Sequence, residues 1–266
     1  MTRIALAVEY DGSRYHGWQT QQPGVATLQP ELEAALSRVA DHPVSVVCAG
    51  RTDTGVHATA QVVHFDSDAD REMKSWVFGA NANLPPDMAV RWARPVPEDF
   101  HARFSARART YRYVILNEPV RPALFARQVT WNYRPLDAQR MRAALPALEG
   151  RHDFTSYRSV HCQAKSPVRT IEDIRLYRQG QLFVLEVRAD AFLMHMVRNI
   201  VGVLMHIGAG GAEPEWAAEV LAARDRRRGG VTAPPYGLYL VEIEYPEHFA
   251  LPRLPRGPCW LDEQLA

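Results

Sequence analysis

The 266-residue chain is 47% hydrophobic and carries 31 Lys and Arg against 30 Asp and Glu, a formal net charge of +1. That is ordinary for a soluble protein that buries a sizeable core in one large or two modest domains, and no global excess of positive charge announces a nucleic-acid partner. Three scattered cysteines, Cys48, Cys162 and Cys259, exclude a disulfide framework, and no clustered His/Cys set supports a metal. Only Lys74 and Lys165 are lysine, so phosphates or carboxylates would mostly meet the planar guanidinium fork. Met1 leads straight into a strand-like run without a signal peptide, and the nearest approach to a membrane span, Phe192 to Ile207, contains Arg198, Asn199 and two histidines. A soluble cytoplasmic protein with no membrane contact is expected.

In chain order, Ile4–Tyr10 alternates as a strand and breaks at Asp11-Gly12. Thr27 to Ala40 predicts an amphipathic helix with Leu28, Leu32, Ala35, Leu36 and Val39 on one face, Thr27 as N-cap and Pro30 in the first turn. Val44, Val46 and Val47 lead into a second strand, Gln61 to Phe65 form a third, a helix is expected over 74–83 and a strand over 88–93. Strand, helix, strand, strand, helix, strand is the order of a split βαβ unit.

The order roughly recurs with a long strand over 104–116, a helix over 136–148, strands over 171–178 and 182–188, helices over 194–207 and 214–223, and a strand over 238–245. The expected fold is therefore α+β: two related split-βαβ halves, ferredoxin- or RRM-like, with antiparallel or mixed sheets joined around a central cleft. Residues 1–103 would form the first half and 104–245 the second. A Pro-rich extended tail over 246–266 would lie against the body or hang free.

The chemistry-bearing residues concentrate at Gly50-Arg51-Thr52-Asp53-Thr54-Gly55-Val56-His57-Ala58, which sets one carboxylate on a tight loop between two strands. A lone Asp-x-Gly turn needs no further function, but the added Arg, Thr and His crowd polar groups into it. Asp53-Thr54-Gly55 also spells the aspartic-protease triplet. Those enzymes need a second such carboxylate, no second triplet occurs, and Arg51 stands where they carry an apolar residue. In the strand over 104–116, period two puts Arg107, Arg109, Tyr111 and Tyr113 on one face and Phe104, Ala106, Ala108 and Val114 on the other. Forks interleaved with rings suit RNA; a plain solvated face of an antiparallel strand fits equally well.

Arg198, flanked on its helix by Met194, Val201 and Met205 on one side and His195 and Gly202 on the other, is expected to be substantially buried and to need a carboxylate: Asp53, or Asp190 or Glu186 as a structural pair. In the aperiodic loop Ser156–Arg169, Lys165 and Arg169 offer phosphate contacts. The run Arg224–Arg228 fits a helix C-terminus better than an RNA patch.

With these residues in view, the chain resembles the A family of tRNA pseudouridine synthases, which act on the anticodon arm. The resemblance runs from Val8-Glu-Tyr-Asp-Gly-Ser-Arg-Tyr-His-Gly-Trp18 to Gly237-Leu-Tyr-Leu240 and takes in the 50–58 motif. It also includes Asn83-Leu-Pro-Pro-Asp87, Phe100-His-Ala-Arg-Phe-Ser105, Tyr111-Arg-Tyr113, His152-Asp-Phe154 and Met196-Val-Arg-Asn-Ile-Val-Gly202. It implies Asp53 as the catalytic carboxylate, Tyr111 lining the uracil pocket, Arg198 paired with Asp53, and Arg51 helping to displace or replace the target base. Homodimers, no metal or organic cofactor, and uridines 38, 39 and 40 of tRNA are implied as well. An RNA-binding protein without catalysis, on the same architecture, is the alternative; it would need the ring-and-fork strand but not the Asp, Arg and Tyr together.

Overall fold

The computed structural model describes residues 1–261, so the last five residues of the expected tail lie outside the described residues. The chain is α+β, and its described residues divide into two compact units, Met1–Arg107 with residues 239–261, and Ala108–Leu238.

In the first unit, β1 (Thr2–Tyr10) lies between β3 (His57–Ser67) and β4 (Met88–Val96), antiparallel to both. The far edge of β3 is shared. The two-residue β2 (Val47–Cys48) pairs antiparallel with its His64 end, and β10 (Leu238–Glu244) runs parallel to its start, Tyr239 opposite His57. Two helices complete the unit. Leu28, Leu32, Ala35 and Leu36 of α1 (Leu28–Ala40) are buried, as the 3.6-residue period requires. Val39 is half-buried because it meets α2 (Met73–Asn83) at Gly79, where an added Cβ would stand 2.9 Å from its Cγ2.

Thr27 occupies the N-cap position, but its hydroxyl is buried without a hydrogen-bond partner. The first amides of α1 instead donate to loop carbonyls, Leu28 N to Gly17 O at 3.2 Å and Gln29 N to Trp18 O at 3.0 Å. The segment after β10 is held on this unit: Phe249 packs on Phe100 at 5.0 Å, and Arg256 pairs with Glu242.

In the second unit the antiparallel order is β5 (Ala108–Asn117), β9 (Leu182–Ala189), β8 (Val168–Gln179), β7 (Gly150–Asp153), with β6 (Thr130–Asn132) parallel to β5 on its other edge. The short β6 and β7 carry too few residues to display a period, which is why sequence pattern passes over them. Three helices accompany them. In α3 (Ala138–Ala144) Asp137 accepts from the amides of Gln139 and Arg140 as N-cap. α4 (Met196–Gly208) is the most buried, with Ile200, Val203, Leu204 and Ile207 fully enclosed; α5 is Trp216–Ala223.

Two expectations for the long strand are corrected. It begins at Ala108 rather than Phe104, because residues 100–105 are spent in a hydrogen-bonded turn, so Arg107 stands outside the ladder. Its two faces are also not one polar and one apolar. Tyr113 is fully buried on the ring-and-fork side, buried Arg112 shares the other side with Val114, and Phe104 is 76% exposed.

Candidate active site

In the first unit the polypeptide from Gly50 to Ala58 crosses from β2 to β3, and a set of hydrogen bonds holds the turn. Tyr10 Oη and Thr52 Oγ1 share a buried hydrogen bond of 2.8 Å. Trp18 N donates to Thr52 O at 3.0 Å, Gly55 N to Tyr15 O at 3.2 Å, and Val56 N to Asp53 O at 3.1 Å. The Gln61 side chain, fully buried, bonds both the amide and the carbonyl of Gly50. Gly55 supplies the positive φ, +76°, at which a side chain would be strained.

The 12–17 segment closes on this loop so tightly that a Cβ on Gly12 would stand 2.0 Å from Val56 O. His57, 2% exposed, stacks on Tyr239 at 4.7 Å and sets its Nδ1 3.1 Å from Asp11 Oδ1. Burial by itself would raise the Asp11 carboxyl, but its contact with His57 and the bond donated by the Ser13 amide outweigh it and hold the group well below the usual carboxylate range. His57 is thereby a brace, tying the start of β3 to the Asp11 turn. Within this frame Arg51 is exposed and Asp53 half-buried. Tyr10, Tyr15, Trp18 and Gln61 were not singled out from sequence as supports. The signal was present, because three of them lie in the Val8–Trp18 motif.

In the second unit Tyr111 sits on β5 opposite Val187, half-buried, its ring edge-on to Phe192 at 4.9 Å and 79°. Arg112 faces the opposite way into a buried ion pair with Glu186, 2.7 Å. Tyr113 Oη donates to Pro234 O at 2.7 Å and shares a 2.6 Å bond with Thr130 Oγ1. Burial drives the Tyr113 phenol far up, against the opposing Thr130 bond and the positive charge of Arg198.

Arg198, in the first turn of α4, is half-buried rather than substantially enclosed. Its Nε donates to Ala233 O at 2.8 Å, and Ala233 N returns a bond to Arg198 O at 3.1 Å. One turn of chain thus steadies the guanidinium. Of the structural partners expected for it, Glu186 pairs with Arg112, and Asp190 Oδ1 accepts from the amides of Thr170 and Ala191.

A residue of the basic run that sequence assigned to a helix end does more. Arg226 Nη2 reaches Asn199 Oδ1, Gly230 O and Thr232 Oγ1 at 2.9 to 3.0 Å, fastening residues 229–233 onto α4. Of the candidate RNA contacts, Arg107 and Lys165 are exposed, whereas Arg109 and Arg169 are half-buried. Arg109 Nη1 donates to Asp190 O, and Arg169 Nη1 folds back to Ser166 O, each at 3.0 Å. Among the described residues no group of three or more His, Cys, Asp or Glu is placed to hold a metal ion, and no helix is long and apolar enough to cross a membrane.

The sequence matches the family model described as tRNA pseudouridine synthase over residues 6–105 and 144–246. It is 66% identical to the tRNA pseudouridine synthase A of Alcanivorax borkumensis over all of this chain and 99% of the relative. The enzymes of that name from Pseudomonas aeruginosa and Coxiella burnetii are 62% and 58% identical, each over 98% of this chain and over 92% and 100% of their own lengths. A heavily braced aspartate loop and a family match spanning both units point the same way: this chain belongs to the tRNA pseudouridine synthase family, whose members are isomerases.

Proposed function

We propose that the chain isomerises uridines 38, 39 and 40 of the tRNA anticodon arm to pseudouridine, with Asp53 as the catalytic carboxylate. The observation that carries this reading is the loop itself. A half-buried acid projects from a turn whose flanking residues are fixed by Tyr10, Tyr15, Trp18 and Gln61. Such bracing keeps a reacting group in place without reorganisation at the moment of reaction.

The reaction breaks the N1–C1′ bond, turns the uracil and joins C5 to C1′; the C5 proton leaves and N1 takes one up. An ionised carboxylate serves either route to that end, adding to C1′ or removing a proton from C2′. In both, the target base must leave the helical stack. In this reading Arg51 enters the space the base vacates, Tyr111 packs against the released uracil, and Arg198 pairs with Asp53. Arg107, Arg109, Lys165 and Arg169 meet phosphates. The enzyme works as a homodimer. The exposed apolar residues Val120, Leu124, Phe125, Trp131 and Tyr133 of the second unit support self-association, which sedimentation velocity measures directly.

The test is release of tritium from an anticodon stem-loop carrying C5-tritiated uridine. Asp53→Asn should bind the RNA within about threefold of wild type and lose turnover by more than about a thousandfold. Tritium release near the wild-type rate would remove Asp53 from the chemistry. A double-mutant cycle on positions 53 and 198 that shows no coupling would dissolve the proposed pair.

A further inference from the structure

Residues 100–105 follow β4 in the first unit as a clamped turn. Arg3 Nη1 donates to Phe100 O at 3.1 Å, Ala102 N to His64 Nδ1 at 3.1 Å, Tyr245 Oη to Ala102 O at 2.6 Å, and His101 N to Ser105 Oγ at 2.9 Å. Phe100 fills the core between Tyr245 and Phe249. Phe104 does the opposite and is 76% exposed. It is nevertheless held. His101 stacks on it at 4.3 Å and 28°, and His101 is itself oriented by accepting the amides of Arg103 and Phe104 at Nδ1, 3.2 Å each. The Arg103 guanidinium lies 5.6 Å from the ring centroid. A ring fixed in water on a rigid turn contributes little to the fold. Paired with a guanidinium, it has the composition that takes an unstacked base and its phosphate.

The turn also packs on β3 where β2, the strand before the Asp53 loop, pairs with it. His101 packs on His64 at 4.8 Å, and His64 is the register partner of Val47 in β2, the strand that runs into that loop. The neighbouring Cys48 thiol is pushed up to about 11 by burial, against the positive charges of Arg51 and Arg103.

We propose that Phe104, backed by His101 and flanked by Arg103, is a stacking platform for an unpaired nucleobase of the substrate RNA other than the one that reaches Asp53. The proposal deepens the function given above and rests on it for the identity of the RNA. The full chain is titrated with anticodon stem-loops carrying 2-aminopurine at one unpaired loop position at a time. Wild type should quench the probe at one position. Phe104→Ala should abolish that quench and weaken binding about tenfold, with the salt dependence unchanged. Phe104→Tyr should restore both, and Phe104→Leu neither. Arg103→Gln should lower the slope of log Kd against log salt by about 0.7, the share of one single-strand phosphate.

Melting temperatures accompany each variant, and for so exposed a ring they should match wild type. Unchanged affinity and quench in Phe104→Ala would overturn the platform, as would a leucine that serves as well as tyrosine. A change in self-association with RNA affinity intact would assign the ring to a protein interface and overturn it too. A wild-type chain that quenches the probe yet forms no pseudouridine would defeat the functional reading alone, leaving the platform supported.

Discussion

Arg112 and Glu186 face each other across β5 and β9, 2.7 Å apart and with side chains 3% and 4% exposed. Two charges so enclosed are stable only together, because removing one leaves the other desolvated and unpaired. Glu186→Ala should therefore cost about 3–5 kcal/mol in urea denaturation, and the double variant Arg112→Met with Glu186→Leu should recover most of that loss. The pair also bears on function. It fixes the strand between Tyr111 and Tyr113, so Tyr111 is presented from a residue that cannot easily rotate or slip. A one-residue slip of β5 would exchange its faces.

Among elements, α4 and residues 229–233 meet backbone to backbone. A Cβ on Gly202 would stand 1.8 Å from Val231 O, and one on Gly230 would stand 3.2 Å from Gly202 O on the helix backbone. The backbone of 229–233 is fastened there by Arg226, and the bond from Arg198 to Ala233 O lies at its end. Gly202→Ala must push this segment off the helix. It should destabilise by about 1–3 kcal/mol, the usual cost of overpacking, and expose residues 226–233 to limited proteolysis. The Arg198 side chain would lose its steadying carbonyl in the same step, so turnover should fall more than stability alone accounts for.

For the whole molecule, acid should act in two successive windows. Burial, with help from the charges of His101 and Arg3 and against that of Asp66, takes His64 down to about 4 from the ordinary 6.5 or so of a histidine. The unfolded chain then binds more protons than the folded one between those values, so stability is lost as pH falls from about 6.5 to about 4. The depressed carboxyls of Asp11, Asp66 and Asp153 contribute stability that is present above the ordinary carboxylate pKa and lost only on further acidification below it. His64→Gln keeps an acceptor for the Ala102 amide and should at least halve the slope of stability in the first window while sparing the second. Asp11→Asn should reduce only the second. Urea midpoints at pH 7, 5.5, 4.5 and 3.5 separate the two.

Local pattern by itself determined where the long elements lie. The period of Leu28, Leu32 and Leu36, the alternation of Ile4–Tyr10 and the apolar run of α4 depend on neighbours within one or two turns, and those are printed in the sequence. It also determined that Asp53 stands on a turn, since Gly55 and the flanking strands are adjacent in the chain. Tertiary structure alone decided which polar groups are exposed. Tyr113 and Arg112 leave β5 on opposite faces, and both faces are covered, so the two-residue period could name the sides without saying which meets water. The same holds for the idle hydroxyl of Thr27, the half-exposure of Arg198 and the anchoring of Arg226. Each depends on a partner brought near only by folding, as Gly17 and Trp18 stand in for the Thr27 cap and Asn199 receives a guanidinium 27 positions later. Burial and hydrogen-bond satisfaction are properties of the packed chain, and no local window contains them.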